Sequence, residues 1–171
     1  VRVALALDVS DIRRIVRKNF SYAFAFLVLA ARVALGMGAR VAYIGKVADD
    51  QLGQVFRHDI QAAGVSFASA PLIGGAPTAR CLILVTPDGQ RMMNTFLGAC
   101  VTLGEADVDE KLVASAAVTY LEGYLFDPPA AQAAFRKAAA AAHAAGRKVS
   151  LSLSDAFRVN RHRAAFRDLV A

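Results

Sequence analysis

The chain has 171 residues, of which 56% are hydrophobic and 20% are charged. This length suits one domain with a sizeable buried core, and the apolar composition excludes a disordered chain. The formal net charge of +6 would suit phosphate or nucleic-acid binding, but the basic residues are scattered and not interleaved with aromatic ones, so we expect no nucleic-acid partner.

Residues 1–37 form an atypical N-terminal segment, in which a basic group at residues 13–18 precedes an apolar run at residues 22–31. Together these features resemble a signal peptide. Against that interpretation, the basic group lies deep in the chain, the run is too short to span a membrane, and Arg32 interrupts it. The pattern favours a buried helix from about residue 11 to residue 37, and we expect no membrane partner.

From residue 41 the chain alternates between short apolar strands and amphipathic helices, which is typical of an α/β fold. A strand at residues 41–45 leads into a helix at residues 49–63, which Gly64 ends. After residue 107 the alternation returns. The elements predicted there are a helix at residues 107–115, a strand at 118–122, a helix at 129–145, a strand at 148–153 and a final helix after residue 160.

Between these two parts lies a segment rich in strands. Strands are predicted at residues 65–69, 78–86 and 90–96, and Pro87-Asp88-Gly89 between the last two is a tight-turn sequence. The segment therefore predicts a hairpin-rich insert on the α/β body. Cys81 and Cys100 lie in apolar, β-rich surroundings without metal-ligand spacing to the histidines, which indicates buried reduced thiols and a cytoplasmic protein.

Two ordered motifs carry a resemblance to a known family. They are Ile-Gly-Lys-Val-Ala-Asp-Asp-Gln-Leu-Gly at residues 44–53 and Pro-Thr-Ala-Arg-Cys-Leu-Ile-Leu-Val-Thr-Pro-Asp-Gly-Gln-Arg-Met-Met-Asn-Thr-Phe at residues 77–96. With the sequence around them, from about residue 34 to residue 170, they resemble the PfkB (ribokinase-like) family of carbohydrate and nucleoside kinases, closest to its adenosine-kinase-like branch.

The resemblance implies a ribokinase-like α/β fold, in which a largely parallel, Rossmann-like sheet is flanked by helices and carries a small β lid. The lid would occupy about residues 65–97, and residues 1–171 would be a single partial domain. We expect the fold to be incomplete, because the family's catalytic Gly-Ala-Gly-Asp turn and ATP site would follow residue 171.

The resemblance also implies which lid residues face the acceptor substrate. Cys81, Arg91, Met93, Thr95 and Leu97 fall where adenosine-kinase-like members contact the nucleoside. Met93, Thr95 and Leu97 alternate with period two, so we expect them on one face of the sheet. Packing within the sheet is the alternative for Met93 and Leu97, and a solvated charge at a strand edge is the alternative for Arg91.

A second implied group lies at the carboxyl ends of two predicted strands, where open α/β sheets bind ligands. Gly123 would leave room near the substrate, while Tyr124, Phe126 and Phe157 would supply an apolar or stacking wall for a purine. Core packing is the alternative for the three aromatic residues. Residues 154–155 also follow the second of these strands, and for them the alternative to a role in the site is that they cap the turn that follows.

Two features of the family are not recognisable. Bulky apolar residues stand at 24–29, where the family has Gly-Gly-Ser-Ala-x-Asn, and the chain has no Gly-rich phosphate loop. ATP and Mg²⁺ are the cofactors expected for a complete family member. No residue of this chain is identifiable as catalytic, as cofactor-binding or as a metal ligand.

The resemblance thus implies the substrate-binding half of an ATP-dependent kinase that phosphorylates a hydroxyl of adenosine or a related nucleoside or sugar, inactive as this chain alone. The alternative is a non-catalytic, kinase-derived module that binds a small ligand or a protein. The mean hydropathy of +0.40 indicates apolar surface that further chain or a partner would cover. A second copy of the chain, bound through the lid or an exposed sheet edge, would be one such partner.

Overall fold

The structure is a computed structural model, and it describes residues 36–170. Nearly all of the helix predicted at residues 11–37, together with the signal-peptide alternative, lies outside the described residues. The described part contains four α-helices and four β-strands, joined by short turns of 3₁₀ helix. The helices are α1 (Gln51–Ala62), α2 (Glu110–Ser115), α3 (Pro129–Ala144) and α4 (Ala156–Val170), and the strands are β1 (Arg80–Val85), β2 (Arg91–Phe96), β3 (Val118–Glu122) and β4 (Lys148–Ser152).

The helices begin where side chains or prolines satisfy their first turns. The Asp50 carboxylate accepts from the Gly53 N–H at 2.8 Å at the start of α1, and the Asp109 carboxylate accepts from two N–H groups at the start of α2. Helix α3 begins with Pro129 at its first position, where a missing N–H costs nothing. These three helices agree with the predicted elements to within a few residues.

Helix α4 begins earlier than predicted. Its first residue is Ala156, because the Asp155 carboxylate accepts from the Arg158 N–H at 2.9 Å and so caps the helix. The capping alternative for Asp155 is thereby confirmed. At His162 the helix has non-helical dihedrals (φ −119°, ψ 24°), so a kink interrupts it near the predicted start.

Two small sheets are present in the described part. Strands β1 and β2 form an antiparallel hairpin, with Arg80 opposite Phe96 and Val85 opposite Arg91. Strands β3 and β4 are parallel, with Val118 opposite Lys148, and α3 is the crossover between them. The hairpin and the βαβ unit are both as predicted.

The strands predicted at residues 41–45 and 65–69 are wrong as regular strands. The two segments run alongside each other but form only isolated parallel bridges, between Ala42 and Ser66 and between Ala48 and Leu72. Between the bridges, the N–H of Gly45 donates to the side-chain hydroxyl of Ser69 at 3.3 Å instead of to a carbonyl. A side chain thus takes the place of a ladder hydrogen bond, and the pairing does not extend.

The buried side chains form two clusters. The larger fills the space between the parallel sheet, α3 and α4, and its buried members are Val108, Val113, Leu121, Phe126, Ala134, Phe135, Ala138, Ala142 and Phe166. The smaller packs α1 against the bridged segments through Val47, Ile60, Val65 and Phe67. An ion pair between Lys46 and Asp107, both mostly buried, connects the bridged segments to the turn before α2.

The hairpin lies outside both clusters. All six residues of β2 are exposed, and the four residues of β1 beyond Cys81 are exposed or half-buried. Large apolar side chains such as Leu84 and Met92 therefore face solvent in this chain. None of the helices at residues 36–170 is both long and apolar enough to cross a membrane.

Candidate functional site

The hairpin brings four of its five predicted site residues onto one face. Directly opposite residues of an antiparallel pair point to the same side, and Cys81 lies opposite Thr95 with their Sγ and Oγ1 atoms 3.1 Å apart. Met93 and Arg91 follow at period two on β2 and so share this side. Cys81 is buried, whereas the other three are exposed.

Leu97 does not belong to that face. Strand β2 ends at Phe96, and Leu97 has helical dihedrals (φ −76°, ψ −29°) at the start of the 3₁₀ turn Gly98–Thr102. The period-two expectation fails here because the chain turns away from the strand one residue earlier. Leu97 is half-buried at the base of the hairpin.

At the carboxyl end of β3, the chain makes a 3₁₀ turn at Gly123–Leu125. A Cβ atom on Gly123 would lie 2.2 Å from the carbonyl oxygen of Ser152. The space beside Gly123 is therefore occupied by the end of β4, and glycine is required for the two strand ends to approach this closely.

The three predicted aromatic residues have different surroundings. Phe126 is 1% exposed and its ring stacks on that of Phe166 with centroids 4.3 Å apart, so the core-packing alternative holds for it. Phe157, in the first turn of α4, is 79% exposed. Tyr124 is half-buried, with the Arg158 guanidinium 4.6 Å from its ring centroid. Tyr124 and Phe157 are thus the accessible members of the predicted wall.

A charged cluster that the sequence reasoning missed lies beside this wall. The Asp127 carboxylate accepts from His162 Nε2 at 2.7 Å and from Arg161 Nη1 at 2.9 Å, and it also pairs with Arg158 Nη1. Burial raises the pKa of Asp127, but the His162 hydrogen bond and the two arginine charges outweigh it and hold the pKa below its ordinary value.

A sequence signal for this cluster exists. Arg158, Arg161 and His162 are spaced i, i+3 and i+4, so on a helix they lie on one face. The last helix was predicted to begin after residue 160, so Arg158 was placed outside it. The i, i+3, i+4 spacing of the three basic residues was therefore not recognised as one helix face. Nothing local indicates that Asp127, which lies before α3 and 31 residues before Arg158, is the common partner.

The hairpin residues and the strand-end residues remain two separate groups. Among residues 36–170, no hydrogen bond, ion pair or ring contact that we identify joins one group to the other. A groove of about 320 Å³ lies elsewhere, between α2 and α3, and none of its lining residues belongs to either group.

The acidic side chains and helix starts of residues 36–170 are the features that bear on Mg²⁺ and phosphate binding. Within residues 36–170, no three His, Cys, Asp or Glu side chains lie close enough together to hold a metal ion. A free helix N-terminus is the usual cradle for phosphate. Three of the described helices, α1, α2 and α4, have this end capped by the carboxylates of Asp50, Asp109 and Asp155. Helix α3 begins instead with Pro128 and Pro129, which have no N–H to donate.

Comparison with solved structures gives relatives with high sequence identity. The adenosine kinase from Sinorhizobium meliloti is 58% identical with a TM-score of 0.74, and a probable sugar kinase protein from Rhizobium etli CFN 42 is 54% identical with a TM-score of 0.75. Each match covers 82% of this chain but only 42% of the relative, so the chain spans less than half the length of these proteins. A search among curated proteins found no match.

More distant structures share the fold alone. An E. coli protein assigned as a ribokinase II, solved in complex with ATP and Mg²⁺, is 20% identical with a TM-score of 0.69. That match covers 86% of this chain and 46% of the E. coli chain. The ribokinase-like α/β fold implied by the sequence is therefore confirmed, in a form that is incomplete relative to the full fold.

A family profile also matches most of the chain. Residues 30–171 match the profile described as pfkB family carbohydrate kinase, which is well over half of the chain. The matched region includes the hairpin, the parallel βαβ unit and every predicted site residue. The chain belongs to the pfkB family of carbohydrate kinases.

Proposed function

We propose that this chain forms the acceptor-binding part of an ATP-dependent kinase that phosphorylates a hydroxyl of adenosine or of a related nucleoside or sugar. The observation that carries the proposal is the 58% identity to an adenosine kinase over 82% of this chain. The 54% identity to a probable sugar kinase keeps sugars in the acceptor class.

The hairpin is suited to covering an acceptor. Phosphoryl transfer requires that water is excluded and that the attacking hydroxyl is held in line with the phosphorus. Met93 and Thr95 on the Cys81 side offer an apolar and a hydroxyl group, and Arg91 adds a cation near the turn. Because these residues pack against no core, they are available to contact a bound molecule.

The strand-end group would supply the other wall of the pocket. Tyr124 and Phe157 present accessible rings that suit a purine face. The Asp127 cluster holds Arg158 against the Tyr124 ring and so restrains that side chain. Phe126 supports the wall from within the core instead of touching the substrate.

ATP would supply the phosphoryl group, with Mg²⁺ neutralising its charge, and within residues 36–170 no three His, Cys, Asp or Glu side chains are grouped to hold the metal. We therefore propose that the 171-residue chain alone binds the acceptor without transferring phosphate. The protein would act on a small molecule in the cytoplasm, with neither nucleic acid nor membrane as a partner.

The test is phosphoryl transfer by the protein at its natural full length. The protein is incubated with ATP and Mg²⁺ and with adenosine, other nucleosides, ribose or fructose, and ADP and phosphorylated product are measured. We expect adenosine or a close analogue to be phosphorylated, and we expect the 171-residue chain to bind the same acceptor without turnover. Failure of the full-length protein to phosphorylate any acceptor would show that the proposal is wrong.

A further inference from the structure

The root of the hairpin is held by a buried hydrogen-bond network around Thr78, which is 4% exposed. The Thr78 N–H donates to Asp50 Oδ2 at 2.8 Å, and the Thr78 hydroxyl donates to Asp50 Oδ1 at 2.6 Å. The hydroxyl oxygen also accepts from the Ala48 N–H at 3.0 Å. One threonine is therefore joined to both the cap of α1 and the segment that precedes it.

The same carboxylate serves two elements. Asp50 Oδ1 also accepts from the Gly53 N–H, so the group that caps α1 is the group that anchors the hairpin. The packing around Gly53 has no room for a side chain, since a Cβ atom there would lie 2.0 Å from the Ala48 carbonyl oxygen and 3.0 Å from Thr78 Oγ1. The start of α1 and the start of the hairpin thus form one tightly packed unit.

The second strand is tied to the same root. After β2 ends, the Ala99 N–H donates to the Pro77 carbonyl oxygen at 2.8 Å. The exit of the hairpin is therefore bonded to the residue before Thr78. Both ends of the hairpin are joined at one place, which Asp50 connects to α1.

The charge of Asp50 is stabilised in this arrangement. Burial raises the pKa of Asp50, but hydrogen bonds from the Thr78 side chain and backbone and from Gly53, with the charge of Arg80, lower it below its ordinary value. Hydrogen bonds to an ionised acceptor are stronger than neutral ones. At neutral pH the root is consequently held by a carboxylate that accepts three hydrogen bonds.

We propose that Asp50 and Thr78 are positioning residues, which set the direction of the hairpin from the α1 cap and so place Met93 and Thr95 against the acceptor. This inference rests on the proposed function. Because the strands beyond Cys81 are exposed or half-buried and have no core of their own, the root is the part of the hairpin that determines its orientation.

The test compares Thr78→Val with Thr78→Ser in the full-length protein. Valine has the shape of threonine without its hydroxyl and leaves the Asp50 cap of α1 in place, whereas serine retains the hydroxyl. Hydrogen–deuterium exchange of peptides covering residues 80–96 is measured, together with KM and kcat for adenosine. For Thr78→Val we expect exchange about tenfold faster and KM for adenosine about tenfold higher. KM for ATP should change by less than about twofold.

Asp109→Asn is the matched control, because Asp109 caps α2 in the same manner and its carboxylate accepts from Lys111 and Leu112 of that helix. It should leave exchange in residues 80–96 unchanged. The proposal is overturned if Thr78→Val exchanges like the unaltered protein, or if Thr78→Ser is as defective as Thr78→Val. Should Thr78→Val fail to fold, Asp50→Asn takes its place, because an amide of the same size loses the acceptor for one of the two Thr78 hydrogen bonds.

The two proposals fail in different ways. If the full-length protein phosphorylates no acceptor, the proposed function is wrong, while the exchange comparison still decides whether Asp50 and Thr78 hold the hairpin. If phosphorylation is observed and Thr78→Val alters neither exchange nor KM for adenosine, the positioning role alone is wrong.

Discussion

The two regions that carry the predicted site residues are held in place by different means. The hairpin has no core, exposes every residue of β2, and is anchored at its root by Asp50 and Thr78. The turn after β3 lies on the main core, with Phe126 stacked on Phe166. In the first region the structure leaves nearly all side chains available for a ligand, whereas in the second it divides them between core and surface.

The carboxylates at the two regions show the same contrast. Asp50 is held by N–H groups and a hydroxyl, which fix the course of the main chain. Asp127 is held by Arg158, Arg161 and His162, which fix side chains on a helix surface. The first arrangement orients an element, and the second orients the groups beside a candidate pocket.

The largest difference in stability should appear between variants of Phe126 and Phe157, which the sequence analysis assigned to the same aromatic wall. Phe126→Ala should lower the free energy of unfolding by about 3–5 kcal/mol, because it leaves a cavity in the core. Phe157→Ala should change it by less than about 0.5 kcal/mol, because the ring is exposed, yet it should weaken adenosine binding. Urea unfolding and adenosine titration measure the two effects. Equal loss of stability in both variants would contradict the assignment of Phe126 to the core.

A smaller effect should come from Asp127→Asn. Since the pKa of Asp127 is lowered in the folded state, its ionised form stabilises the fold above the ordinary aspartate pKa of about 3.9, and this contribution is lost as pH falls through the lower folded value. The variant should lose about 1 kcal/mol at pH 7, reduced by the partial exposure of the pair.

Chemical unfolding of the unaltered protein and of Asp127→Asn at pH 7 and near pH 3 checks this prediction. The difference between the proteins should shrink at the lower pH. Some acid sensitivity should remain in the variant, since the pKa of Asp50 is also lowered. A difference that stays constant between the two pH values would contradict an ionic role for Asp127.

The smallest effect on stability should come from a pair of neighbouring methionines on the hairpin. Met92 and Met93 are 67% and 51% exposed and lie on opposite faces of β2. Met92→Ser and Met93→Ser should each change the free energy of unfolding by less than about 0.5 kcal/mol. Only Met93→Ser should weaken adenosine binding, by about tenfold, the size expected when a buried apolar contact of a few methylene groups is lost.

Calorimetric titration of the full-length variants with adenosine distinguishes the two faces. If Met92→Ser weakened binding and Met93→Ser did not, the opposite face of the hairpin would contact the acceptor. Acceptor binding would then be assigned to the face of the hairpin that carries Met92, Leu82 and Leu84.

Local signals account for the elements that were predicted well. Helix α1, the β1–β2 hairpin and the β3–α3–β4 unit are specified by hydrophobic period, by capping aspartates or prolines, and by the turn sequence at residues 87–89. Each of these features acts within a few residues of the element. The family could be inferred from the sequence for a related reason, because its motifs are ordered along the chain.

Long-range contacts decided the remainder. The segment at 41–45 has the composition of a strand, but a hydroxyl from Ser69 interrupts its pairing. Asp127 and Thr78 acquire their partners about 30 residues away in the sequence, with separations of 31 and 28 residues for Arg158 and Asp50. Phe126 and Phe157 have the same side chain and opposite exposure, because only one of them lies where β3, α3 and α4 meet. The sequence by itself determined the local elements and the kinase family, whose signals are local or ordered along the chain. Only the tertiary structure decided which side chains are buried, paired or free to meet a substrate, since burial and pairing depend on neighbours distant in the sequence.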